Sequence, residues 1–244
     1  MRIARKKNDF SIPAWGEDII KNNLDNQIPI RQKELTPTVG FCGFSAKNNF
    51  KTYTKSLLYE AEKLFQKKQD TPKYNPKYNI GHVLRRYGLN NLSKSPLVKT
   101  NFILSDKPFF NADDANSQAL VRQQYINNIL ESDYIFCCRG YGNFSFRFYE
   151  ALSCGRIPVF VNSNCTLPYD FEIDWKKYCV WVEEDEIHLI AEKVLEFHEQ
   201  LSPQDFVSLQ YECRQIWEQW LSPEGFFCNL YRHLDVIPKK LAIV

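Results

Sequence analysis

Four side chains able to do phosphate and sugar chemistry stand close together: Arg139, Ser145, Arg147 and Glu150, within Tyr134–Val161, "YIFCCRGYGNFSFRFYEALSCGRIPVFV". An arginine fork matches two phosphate oxygens at once. Ser145 could cap a helix, contact a phosphate oxygen, or do both. Glu150, three residues after Arg147, would sit one helical turn back, where a carboxylate could accept hydrogen bonds from ribose hydroxyls. Gly140 and Gly142 would let the backbone approach a ligand closely. Together these residues suit a nucleoside diphosphate carrying a further group. A plainer reading stands beside that one: Arg147 and Glu150 could form a surface ion pair at i,i+3 spacing, and the glycines could merely turn the chain.

The elements around these residues say where they must lie. Tyr134–Cys138 reads as a strand, Ser145 to Cys154 as a short helix, and Ile157–Val161 as a second strand. Gly155 stops the helix and Pro158 keeps it stopped. Backbone N–H groups without helical partners therefore face the turn, and the helix dipole adds partial positive charge. That is an anion site in outline.

Further strands are expected at Thr38–Phe44, Asn101–Asp106 and Cys179–Val182. Helices are expected at Tyr53–Lys68, Gly81–Tyr87 (carrying Arg85 and Arg86), Gln118–Leu130, Asp185–Gln200, Pro203–Leu221 and Gly225–Leu234, with a loop at Gln69–Asn79. Strands apolar on both faces and alternating with helices predict an α/β fold, a Rossmann-like parallel sheet with helices on both faces. Ligands bind such sheets at the carboxyl ends of the strands, where the 139–150 turn sits. Residues 1–37 read as irregular, broken by Pro13, Pro29 and Pro37, residues 38–235 as the sheet domain, and residues 236–244 as a tail.

With 44% hydrophobic and 25% charged residues, the chain has the profile of a folded globular protein rather than a disordered one. A net charge of +2 gives no global case for nucleic acid. The one dense basic run, "RIARKK", is at the N-terminus and reads as solvated. No long apolar segment follows it, so no membrane span is expected. A cytoplasmic location follows, or a membrane-associated or Golgi-lumenal one if an upstream segment exists. The eight cysteines show no metal-ligand spacing with the four histidines, so a structural zinc site is not expected.

The run Arg139–Trp175, "RGYGNFSFRFYEALSCGRIPVFVNSNCTLPYDFEIDW", resembles the signature of the exostosin family, glycosyltransferase family 47. The matching positions are Ser145, Arg147, Glu150 and Ala151, then Gly155, Ile157, Pro158 and Val159, then Leu167, Pro168 and Tyr169, and last Ile173, Asp174 and Trp175. Weaker echoes are "DFSIP" at Asp9–Pro13, "VGFCGFS" from Val39, and "CRQIWEQW" from Cys213. Cys138 stands where the family often has proline.

The resemblance implies the C-terminal, nucleotide-sugar-binding domain of a GT-B glycosyltransferase, with a donor that is usually a UDP-sugar and a saccharide acceptor in polysaccharide or glycan synthesis. Arg139, Ser145 and Arg147 would lie near the diphosphate and Glu150 near the ribose, with Gly140 and Gly142 letting the backbone approach the donor. Lys47 could reach the donor or be merely solvated, and Asp174 and Trp175 read as structural. The transfer is expected to be inverting, with no metal or cofactor. The general base stays unassigned and is expected on a missing acceptor-binding domain, to which residues 1–37 would be a remnant or linker. The alternative is a non-catalytic or partner-completed donor-binding half-enzyme. A flavodoxin-like regulatory module would want acidic residues at its strand ends, where this chain has arginines.

Overall fold

The computed structural model describes residues 11–45, 54, 81–105, 115–140 and 142–234. Five strands form one sheet: β1 (Thr38–Phe44), β2 (Lys99–Ser105), β3 (Tyr134–Cys137), β4 (Ile157–Asn162) and β5 (Val180–Glu183), in the order β2-β1-β3-β4-β5. Every pairing is parallel. The helices are α1 (Ile19–Asn23), α2 (Gly81–Lys94), α3 (Ala115–Leu130), α4 (Phe146–Ser153), α5 (Ile190–Gln200), α6 (Pro203–Ile216) and α7 (Pro223–Leu234). The expected α/β Rossmann-like sheet is present. The strand order reverses between β1 and β3, and in a doubly wound sheet the ligand crevice opens at that reversal.

Burial follows position in the sheet. All four residues of β3 and the first five of β4 are buried, as strands covered on both faces require. β2 is an edge strand, and it leaves Ile103 and Leu104 exposed.

Several boundaries differ from the sequence reading for local reasons. α2 runs on to Lys94 instead of stopping at Tyr87, because Leu89 and Leu92 are buried and carry the helix past polar Asn90 and Asn91. The expected Asp185–Gln200 helix is a 3₁₀ segment, Glu184–Leu189, followed by α5. The expected Pro203–Leu221 helix ends as one π-turn, Trp217–Leu221. The expected Tyr53–Lys68 helix (apart from Thr54), the Gln69–Asn79 loop, Lys47, Asp106 and the 236–244 tail lie outside the described residues.

Residues 11–37, expected to be irregular, contain α1 and are tied into the sheet domain. Ile19 and Ile20 are fully buried. Asp18 caps α1 and accepts two hydrogen bonds from Arg214, at 2.7 and 2.9 Å. Trp15 Nε1 donates to the Leu221 carbonyl, and Arg31 pairs with buried Asp133.

At the amino end of the sheet, fully buried Arg156 meets only acceptors. It donates to the carbonyls of Pro29, Ile129 and Leu130 and to Gln210 Oε1, at 2.6–3.3 Å. Burial lowers its pKa to about 10, so it stays charged at neutral pH.

Candidate functional site

α4 is short because both of its ends are fixed. Gly155 adopts φ +66°, and Arg156 N–H and Gly155 N–H close back onto the carbonyls of Ala151 and Leu152, a Schellman stop. Phe148 buries its ring against Phe160 and Trp175 at centroid distances of 5.2 and 5.5 Å. Trp175 thus belongs to the core, and its indole donates to the Pro168 carbonyl. This packing aims the N-terminus of α4 at the carboxyl end of β3. Ser145 is the N-cap residue, but its hydroxyl makes no capping bond. Of the two roles open to it, the cap is unfilled.

Arg147 extends from the first turn of α4 to the neighbouring strand. Its Nη2 donates to the Cys42 carbonyl of β1 at 2.6 Å, and its Cζ lies 4.3 Å from the Phe41 ring centroid and 5.5 Å from that of Tyr125. Gly43 makes room for it: φ there is +151°, and a Cβ would sit 3.0 Å from Arg147 Nη2.

A second guanidinium shares the same ring. Arg85 Cζ lies 5.8 Å from the Phe41 centroid, and its two Nη atoms donate to the carbonyls of Phe44 and Arg139 at 3.1 and 3.3 Å. Burial, with Arg147 alongside, lowers the Arg85 pKa. The Nε atoms of Arg85 and Arg147 are both buried and have no hydrogen-bond partner among the described residues. Among the described residues no carboxylate forms an ion pair with either. Two like charges with orphaned donors at the β1–β3 reversal are costly unless an anion joins them.

Arg139 is buried and turns to the other side of β3. Its Nη1 is 3.5 Å from Asn143 Oδ1, and Asn143 is itself held by Ser163 Oγ and by the Asn164 carbonyl. The two arginines paired in sequence therefore flank the end of β3 from opposite sides, and Arg147 takes Arg85 as its neighbour instead.

Of the two glycines in the turn, Gly142 answers to a contact within the chain, whereas a Cβ on Gly140 would meet only Arg85 Nη2, at an ordinary 3.5 Å. A Cβ on Gly142 would meet the Phe144 ring at 2.4 Å. Beside Gly140, a Cβ on Gly81 would meet the Gly140 carbonyl oxygen at 2.1 Å, so the start of α2 docks directly on the turn.

The i,i+3 ion pair between Arg147 and Glu150 is not formed. Glu150 Oε2 accepts from the Tyr125 hydroxyl, and Oε1 lies 3.7 Å from Arg122 Nη1. Burial, with Glu150 nearby, raises the Tyr125 pKa well above the ordinary phenol value, so Tyr125 is the donor. Arg122 is bonded in turn to Glu17. The thiols here offer no nucleophile, since burial pushes both Cys42 and Cys138 up to about 11. Among the described residues no cluster of His, Cys, Asp and Glu could hold a metal ion.

Sequence reasoning missed Arg85, Phe41, Gly43, Tyr125 and Arg122 as members of this cluster. Only Arg85 carried a signal, an arginine one turn into a helix that begins at a glycine.

Comparison with known proteins shows what this chain is similar to. Residues 78–196 match the Exostosin GT47 domain. The chain is 25% identical over 209 residues to Exostosin-1 of Drosophila melanogaster, covering 82% of the chain and 25% of the relative. It is likewise 25% identical over 204 residues to Exostosin-1a of Danio rerio, covering 82% and 26%. The resemblance to the exostosin family holds, and these matches support a glycosyltransferase family. The chain spans about a quarter of the length of these curated relatives. Arg85, Arg139, Ser145, Arg147 and Glu150 all fall inside the matched GT47 segment, whereas Phe41 and Gly43 lie outside it. Among the described residues no helix is long and apolar enough to cross a membrane.

Proposed function

We propose that this chain binds the diphosphate of a nucleotide sugar, a UDP-sugar by analogy with the family, and takes part in its transfer to a saccharide acceptor. The observation that carries the reading is the buried Arg85–Arg147 pair. Both guanidiniums lie on the Phe41 ring and bond carbonyls toward the carboxyl end of β1, Cys42 and Phe44, and among the described residues both Nε atoms lack an acceptor and neither has a carboxylate partner. The N-terminus of α4, where the Ser145 hydroxyl makes no capping bond, would add further donors. Arg139 would approach the ligand from the β4 side. Glu150 would accept from ribose hydroxyls with the lone pairs that Tyr125 and Arg122 leave.

In the inverting reaction proposed, an acceptor hydroxyl oxygen attacks the anomeric carbon as the bond from that carbon to the diphosphate oxygen breaks. The bonding pair leaves with the diphosphate, and a general base takes the hydroxyl proton. The arginines and the helix N-terminus would stabilise the charge that develops on the departing diphosphate.

A thermal-shift panel of UDP-, GDP- and dTDP-sugars, followed by a transfer assay with candidate saccharides, tests this. A UDP-sugar should raise the melting temperature most, because ligand that binds only the folded state stabilises it by mass action. Binding without transfer would favour a donor-binding half-enzyme completed by a partner chain. No shift with any nucleotide would contradict the proposal.

A further inference from the structure

Arg147 and Glu150 are one helical turn apart, a spacing at which opposite charges ordinarily meet. Here they do not. The carboxylate turns to α3, where the Tyr125 hydroxyl holds one oxygen and Arg122 lies 3.7 Å from the other. Arg122 is fixed in turn by Nε and Nη2 bonds to Glu17 in the segment preceding α1. The guanidinium instead reaches the Cys42 carbonyl and the faces of Phe41 and Tyr125. Glu150 is only 13% exposed, so water does little to screen it, and its choice of partner matters to both charges.

We infer that Tyr125 and Arg122 are positioning residues that hold Glu150 away from Arg147, and so keep the Arg147–Arg85 pair open to an anionic ligand. The two α3 residues act through Glu150 and need not touch the ligand. Arg122 supplies the opposite charge that Glu150 would otherwise find on Arg147, and Tyr125 fixes the carboxylate's orientation. Glu17 anchors Arg122, so the N-terminal segment is part of the same device. The identity of the anion rests on the function proposed above, whereas the diversion of Glu150 does not.

The test titrates UDP calorimetrically at low ionic strength, where partly exposed charges are least screened. Four proteins are compared: wild type, Arg122→Gln, Glu150→Gln, and the double variant. With Arg122 neutral, Glu150 should swing to Arg147, and UDP affinity should fall about tenfold or more, as expected for a new opposite charge within contact range. Removing the carboxylate as well should restore affinity to that of Glu150→Gln alone. Tyr125→Phe, which keeps the ring and loses only the hydroxyl, should show a smaller fall in the same direction.

The Nε–Hε NMR resonance of Arg147, assigned by its disappearance in Arg147→Lys, reports the new ion pair without any ligand. It should move in Arg122→Gln and return in the double variant. The inference is overturned if Arg122→Gln binds UDP like wild type, if the double variant binds UDP more weakly than Glu150→Gln alone, or if the Arg147 resonance does not move. Should wild type fail to bind UDP, the nucleotide reading falls, and the resonance alone then decides the positioning role.

Discussion

Two buried arginine sites, at opposite ends of the same sheet, are built on different terms. At the amino end, Arg156 is fully enclosed, and each nitrogen of its guanidinium finds an acceptor, including the carbonyls that close α3. At the carboxyl end, among the described residues, Arg147 has one carbonyl and two ring faces, Arg85 has two carbonyls, and both leave a buried Nε with no acceptor. The first arrangement is complete, and it ties residue 29, α3 and α6 together. The second leaves donors over among the described residues. Burial alone does not separate a structural arginine from a ligand-binding one; the acceptor count does.

That contrast can be broken by substitution. The largest effect should come from Arg156→Met, which strands several carbonyls and the Gln210 side chain. It should cost about 3–5 kcal/mol of unfolding free energy in a denaturant titration. A loss under ~1 kcal/mol would show that the amino-end network is dispensable.

Arg85→Met should act on binding instead. UDP affinity should drop about tenfold, from the loss of one charged hydrogen bond, while the unfolding midpoint shifts little. An unchanged affinity would remove Arg85 from the site.

The smallest effect sharpens the comparison from a carboxylate at the carboxyl end of β5. Burial, and then the neighbouring Asp185, push the Glu184 pKa up to about 7. The folded state therefore holds the proton more tightly than the unfolded chain does. That contribution is fully present below the ordinary glutamate value of 4.5 and is lost as pH rises through about 7. Glu184→Gln should accordingly raise the melting temperature relative to wild type at pH 8 and lose that advantage below pH 4.5. A difference that is constant across this range would exclude the titration.

What could be read from the sequence was local. β1 matches its expected bounds because a glycine-bearing apolar run sits between Pro37 and a polar stretch, and α4 matches because Ser145 and Gly155 bracket it. The expected α/β sheet followed from such runs. The pairing of Arg147 with Arg85 was not legible, because it depends on Phe41 and on the reversal of strand order, which bring distant segments to one ring. Nor was the partner choice of Glu150, since spacing alone favours Arg147, and only the packing of α3 offers Tyr125 and Arg122. The prolines of residues 11–37 suggested an irregular segment. They concealed that Asp18 is anchored by Arg214, which no local pattern announces.

The central claim is that Arg147 stands ready for the diphosphate of a nucleotide rather than for another part of the chain. Calorimetric titration of UDP into wild type and Arg147→Met, with the unfolding free energy of both measured alongside, tests it most directly. Saturable binding by wild type is predicted to weaken about 10- to 150-fold in the variant, with stability changed by less than ~1 kcal/mol. Equal affinity in the two proteins, or a variant that unfolds as readily as one lacking Arg156, would contradict it.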